Sequence, residues 1–128
     1  MPPKKSPTLT EAELRLMEVL WEKGPVTVHA ILEELPPTPA LAYNSVLTTI
    51  RILEKKGYVQ HAKEGRAHVY MPLVGREEAT RVEIKNLVGK FFKNSRELLL
   101  LNLLEDKSID AEELARMRQL LQATKESA

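Results

Sequence analysis

The sequence predicts a mainly α fold with one small β-hairpin, in two parts: a head over residues 1–74 and a three-helix module over residues 75–128. Three observations predict it. Apolar residues recur at helical spacing in six stretches, most of them opened by a capping residue or closed by glycine or proline. Two β-prone runs flank Lys63-Glu64-Gly65, and beyond Gly75 the pattern is purely helical and free of proline.

The first helix starts at Glu11. Thr10 and Glu13 form a capping box, Leu9 and Leu14 stand at the spacing of a hydrophobic staple, and Gly24-Pro25 ends the helix. Its apolar stripe reads as Leu14, Met17, Leu20 and Trp21, with Trp21 in the core. Val26 is a short extended segment, after which Thr27 caps a second helix to about Leu35 with Val28, Ile31, Leu32 and Leu35 inward and His29 outward. Pro36-Pro37-Thr38-Pro39 is a rigid non-helical connection. The third helix runs to about Lys56, buries Val46, Ile50 and Leu53, and ends at Gly57; its start is either capped by Thr38-Pro39 or delayed to Ala42 or Tyr43.

Tyr58 to Ala62 and Arg66 to Met71 then form the hairpin. A three-residue turn with Gly65 as a bulge is expected, since Glu64 disfavours positive φ, and this register sets Val59 against Val69. The second half reads as a helix over about 76–93 presenting Ala79, Val82, Leu87, Val88 and Phe91. A second runs from the cap Ser95 to about Glu105, and a third is opened by Asp110 and Glu113 and shows Leu114, Met117, Leu120 and Leu121.

Composition excludes several function classes. With 128 residues, 43% hydrophobic and 29% charged, the chain is of ordinary globular type. The run Leu98 to Leu104, broken by Asn102, is too short to cross a bilayer, and Met1-Pro2-Pro3-Lys4-Lys5 has no apolar stretch behind it to act as a signal peptide, so a cytoplasmic protein is expected. Without cysteine there is no disulfide scaffold, thiolate metal site or thiol nucleophile. His29, His61 and His68 lack a metal-ligand spacing; a shorter hairpin turn would bring His61 and His68 face to face, two ligands where structural zinc takes four. No glycine-rich phosphate loop or nucleophile motif is present, so neither an enzyme nor a cofactor is expected.

The net charge of +1 conceals a segregation. Residues 8–39 carry Arg15 and Lys23 against Glu11, Glu13, Glu18, Glu22, Glu33 and Glu34, a net −4. Residues 40–71 carry Arg51, Lys55, Lys56, Lys63 and Arg66 against Glu54 and Glu64, a net +3, with Lys4 and Lys5 adding charge in the tail. The basic segment suits a phosphate backbone, although solvated helix faces have the same composition.

Helix, short strand, helix, proline-broken turn, helix and hairpin is the order of a winged helix-turn-helix, whose third helix enters the DNA major groove. On its polar side, Tyr43, Asn44, Ser45, Thr48 and Thr49 are candidate base contacts, because amide and hydroxyl groups match base edges. Arg51 and Lys55, with Lys63 and Arg66 at the hairpin tip, are candidate phosphate contacts; the tip charges equally suit protection of an exposed strand edge. An alternative from another class is a protein-interaction module docking through the acidic segment from Glu11 to Glu34.

Leu98-Leu99-Leu100-Leu101-Asn102-Leu103-Leu104 places leucine on nearly every side of a short helix, and so small a module has too little chain to cover it. A homodimer is expected, with Phe91, Leu98, Leu99, Leu101, Leu103, Leu104, Leu114, Met117 and Leu121 at the association surface. The alternatives are a compact monomeric module or helices packed back on the head.

Four segments resemble the penicillinase repressor (BlaI/MecI-type) family: Leu9-Thr10-Glu11-Ala12-Glu13, Leu20-Trp21-Glu22-Lys23-Gly24, Tyr43-Asn44-Ser45-Val46-Leu47-Thr48-Thr49 and Lys63-Glu64-Gly65-Arg66-Ala67. The resemblance covers residues 9 to about 122. It implies a homodimer that binds a palindromic double-stranded DNA operator through the third helix and represses β-lactamase or related resistance genes. It also implies relief by proteolysis after a membrane receptor senses a β-lactam. Asn102-Leu103 resembles the family's Asn-Phe cleavage point, with leucine replacing phenylalanine. Asn102 equally suits a buried amide that fixes helix register in a dimer. The family's copper-responsive branch carries cysteine-rich motifs that this chain lacks. A repressor of the same family with an unrelated regulon fits the same residues.

Overall fold

The computed structural model describes residues 8–35 and 42–127, with side chains through residue 124. Lys4, Lys5 and the Pro36-Pro37-Thr38-Pro39 connection lie outside the described residues. The elements are α1 (Glu11–Lys23), α2 (Val28–Glu34), α3 (Tyr43–Lys56), β1 (Val59–Glu64), β2 (Ala67–Pro72), α4 (Arg76–Phe91), α5 (Arg96–Leu104) and α6 (Ala111–Ser127). They form two compact units, Met1–Asn86 and Leu87–Ala128, divided within α4. Among the described residues, no helix is long and apolar enough to cross a membrane.

In the first unit, a mainly α head with a two-stranded hairpin, α1 begins with a complete capping box. Thr10 accepts from the Glu13 N–H at 3.1 Å, and Glu13 Oε1 accepts from the Thr10 N–H at 2.8 Å. The buried face differs from the expected stripe. Leu16, Met17, Val19 and Leu20 are buried, whereas Leu14 is 41% exposed and Trp21 is half-buried. The cause is Glu13, which lies on the core side at 3% exposure because Lys56 Nζ reaches it at 2.7 Å, turning the helix away from the purely apolar reading. Leu14 and Trp21 instead flank the start of α4, with Ala79 beside them. Trp21 Nε1 donates to the Val74 carbonyl at 2.8 Å, and the Arg76 guanidinium lies 4.9 Å from the ring centre.

Thr27 caps α2 by accepting from the Ala30 N–H. α3 takes the later of its two expected starts, with Ala42 as N-cap and no side-chain capping bond. Its buried residues are Val46, Ile50 and Leu53, as the spacing predicts. Gly57 closes it with φ 86° and ψ 14°, a left-handed conformation that L side chains enter at a cost. An added Cβ there meets nothing within 4 Å, so Gly57→Ala is expected to cost only the backbone strain, about 1–2 kcal/mol, read as a lower denaturation midpoint at unchanged m-value.

The hairpin register corrects the expected turn. Glu64 pairs with Ala67, leaving a two-residue loop of Gly65 and Arg66. Glu64 stays extended and Gly65, at φ 62°, takes the first central position, the placement favoured in type II′ turns. Val59 therefore opposes Pro72 rather than Val69, which opposes Ala62. Val26 bridges Tyr70 through two hydrogen bonds of 2.8 and 2.9 Å, so the segment between α1 and α2 is pinned to the hairpin root. Val59 and Tyr70 are buried at that root.

The first half of α4 belongs to the head. Ala79 is buried in its core, Arg76 pairs with Glu18, and Glu83 Oε1 accepts from the Leu9 N–H at 2.6 Å.

In the second unit α4 ends at Phe91, two residues before the expected limit. Lys93 (φ 50°) and Asn94 (φ 64°) turn left-handed, and the Asn94 N–H returns to the Val88 carbonyl at 3.0 Å. Ser95 caps α5 by accepting from the Leu98 N–H, and Asp110 accepts from the Glu113 N–H at the start of α6. Between them Ser108 donates both its hydroxyl and its N–H to Asp106 Oδ1, and these bonds hold the carboxyl below the usual carboxylate range. α5 contains no buried residue: Leu98, Leu101, Leu103 and Leu104 are 37–49% exposed, and Leu99 is half-buried. Phe91 (66%) and Leu121 (49%) are exposed, while Leu114 and Met117 are half-buried.

Candidate nucleic-acid interface

α3 is amphipathic in a way that sorts its polar residues. Opposite the buried Val46, Ile50 and Leu53, residues at i, i+4, i+7 and i+11 share one stripe: Asn44, Thr48, Arg51 and Lys55, all exposed. Ser45 is exposed on one flank of the stripe, Tyr43 on the other. Thr49 is set apart, half-buried at the margin of the core, with its hydroxyl donating to the Ser45 carbonyl at 2.9 Å. Its hydrogen is spent inside the helix, so it is the least suited of the five candidate base contacts to donate to a base edge.

Tyr43 packs its ring 4.9 Å from His29 of α2. Ile52, 41% exposed beside Ser45, adds an apolar group to the outer surface, which a pattern of polar residues alone does not mark. A thymine methyl is the base feature it matches.

The wing brings the other candidate cations forward. Lys63 stands on β1 opposite His68, Arg66 occupies the turn, and both are exposed. Cross-strand pairing puts His61, Lys63, His68 and Tyr70 on one face of the hairpin. His61 and His68 stack at 4.6 Å with 19° between their planes, although the loop keeps them diagonal rather than directly opposed. His61 Nδ1 lies 2.7 Å from Glu54 Oε2 of α3, which ties wing to helix. Among the described residues no group of three or more histidine and carboxylate side chains is placed to hold a metal ion. Burial raises the Tyr70 phenol above its ordinary range, and Glu54 adds to this; burial likewise raises Tyr58, with Glu83 adding.

Electrostatics separate the two charged segments. Among the described residues, Arg51, Lys55, Lys63 and Arg66 enter no ion pair, whereas Lys56 is consumed by Glu13. On the acidic side Glu13, Glu18 and Glu34 are matched by Lys56, Arg76 and Lys23, and Glu11 by Arg15. Four of the six glutamates of the acidic segment are thus paired within the head, while Glu22 and Glu33 are exposed and enter no ion pair among the described residues. The cations of α3 and the wing remain available to an anionic partner.

Comparison with known proteins gives a consistent set of similarities. The family model described as penicillinase repressor matches residues 9–123. The penicillinase repressor of Bacillus licheniformis is 30% identical over 122 residues, 95% of each chain. The methicillin resistance regulatory protein MecI of Staphylococcus aureus (strain N315) is 26% identical over 117 residues, 91% of this chain and 95% of its own. Among solved structures, the DNA-binding domain of the repressor BlaI covers 59% of this chain and 92% of its own at 33% identity, with a TM-score of 0.51.

Proposed function

Because the chain belongs to the penicillinase repressor family, we propose that it is a cytoplasmic, homodimeric transcriptional repressor that reads a palindromic operator through α3 and controls β-lactamase or related resistance genes. The carrying observation is the stripe Asn44, Thr48, Arg51 and Lys55, exposed along the side of α3 opposite its buried face. Asn44, Thr48 and Ser45 face the bases, with Tyr43 at the edge. Arg51 and Lys55, with Lys63 and Arg66 of the wing, hold phosphates on either side.

Two copies place two such helices on the half-sites of a dyad, and α5 supports the association because none of its leucines is buried within the protomer. Relief of repression follows cleavage at Asn102-Leu103 by a receptor-linked protease. Both residues are exposed in the protomer, and among the described residues Asn102 Nδ2 donates only to the Leu98 carbonyl one turn back, at 2.8 Å. The bond lies inside a helix, so cutting requires a turn of α5 to open first.

The test is selection of binding sites from random-sequence duplexes, followed by gel shift with Asn44→Ala/Thr48→Ala. A base-reading pair loses about 1–3 kcal/mol per contact, so the double variant is expected to bind the selected duplex at least tenfold more weakly and to lose preference at the corresponding positions. Unchanged affinity and preference would remove α3 as the reader.

A further inference from the structure

His29 and His68 have no part in the contacts assigned above, yet both line a groove of about 350 Å³ between the start of α2, α3 and β2. Tyr43, Arg51 and Arg66 line it with them. No carboxylate does, in a chain with 18 of them, whereas the cavities along α1 include Glu18, Glu22 or Glu83. Arg51 enters from the helix wall and Arg66 from the wing, and neither has an ion-pair partner among the described residues. A concave surface whose charged side chains are all cations concentrates positive potential where an anion would sit.

Each imidazole is held by a neighbouring ring. His29 rests against Tyr43 at 4.9 Å, and His68 stacks on His61, itself fixed by Glu54 at 2.7 Å. Neither His29 nor His68 hydrogen-bonds to a protein group among the described residues. An imidazole offers a ring N–H to a phosphate oxygen in either charge state, and a ring already ordered loses less freedom on binding.

Building on the reading of α3 as the DNA-contacting helix, we propose that this groove seats one stretch of phosphodiester backbone at the border of the base-reading face. Arg51 and Arg66 supply charge from opposite walls, and His29 and His68 supply directed donors. The two histidines are thus further DNA-contact residues, indifferent to base sequence, and Glu54 and His61 are positioning residues for His68.

The test measures the full chain on two probes, its selected duplex and a duplex of random sequence at low salt. His29→Ala/His68→Ala is expected to weaken both by a similar factor, about tenfold, with the ratio between them unchanged. His29→Gln/His68→Gln, which retains an N–H donor, recovers part of the loss. Unchanged affinity for both probes overturns the proposal, as does a loss confined to the selected duplex, which would mean base contact. These results leave the reading of α3 intact, because Asn44→Ala/Thr48→Ala tests it separately. If the unsubstituted chain bound neither probe at low salt, that reading itself would fall.

Discussion

Leu101→Glu is expected to leave the chain monomeric at micromolar concentration and to weaken binding to a full dyad operator by a factor on the order of 10²–10⁴, while binding to a single half-site stays unchanged. Leu101 is 49% exposed in the middle of a helix that buries nothing within its own unit, and Leu98 and Leu104 lie one turn to either side of it. An association surface built from these side chains would have to bury the new carboxylate without a partner, which costs far more than any one leucine contributes. Because Leu101 is not among the residues proposed to contact DNA, half-site affinity separates loss of dimer from loss of reading. Sedimentation equilibrium and gel shift on the two probes check it. A Leu101→Glu chain that still sediments as a dimer would take α5 out of the interface.

Lys56→Met is expected to lower the free energy of unfolding by about 3 kcal/mol, since it strands the Glu13 carboxylate in the core. That side chain is 4% exposed and that of Lys56 13%, and the lysine also donates to the Thr8 carbonyl at 3.0 Å. Glu13 would retain the Thr10 N–H but lose its only ion-pair partner among the described residues. Chemical denaturation measures the loss. The double variant Glu13→Gln/Lys56→Met is expected to be more stable than Lys56→Met alone, because no charge is then left uncompensated. Equal stability of the two would mean that water reaches the carboxylate.

What the sequence made legible was local. Thr10 with Glu13, Thr27, Ser95 and Asp110 announce helix starts because a cap and the N–H it satisfies lie three residues apart. Gly57 announces an end for the same reason. The polar stripe of α3 was legible because helical periodicity alone places it opposite Val46, Ile50 and Leu53. What escaped depended on partners distant in the chain. The buried face of α1 was set by a lysine 43 positions away, and the first half of α4 was drawn to the head in part by a hydrogen bond spanning 74. The pairing of His29 with Tyr43 arises from packing between separate elements. The hairpin turn fell at residues 65–66 rather than 63–65, which moves the partner of Val59 by three residues, because a lone glycine marks where positive φ is tolerated without fixing which turn position it fills. The Thr49 hydroxyl bonds back to the Ser45 carbonyl, a choice that composition does not reveal.

The bridge between Val26 and Tyr70 gives the hairpin the mechanics of a cantilever. Its root is clamped by paired backbone bonds, by the buried Val59 and Tyr70 and by the His61–Glu54 contact, while the exposed residues 62–67 extend beyond that clamp. A free two-stranded ribbon would be only marginally stable, but one anchored at the root deflects increasingly toward its end. In the proposed complex Arg66, at that end, would therefore follow a duplex whose groove width varies from site to site. The amino acids along α3, fixed to the core at every turn, cannot follow it. Compliance and rigidity thus fall to different elements of the same head: in the proposed complex the wing would accommodate the shape of the duplex, and the helix would impose the sequence.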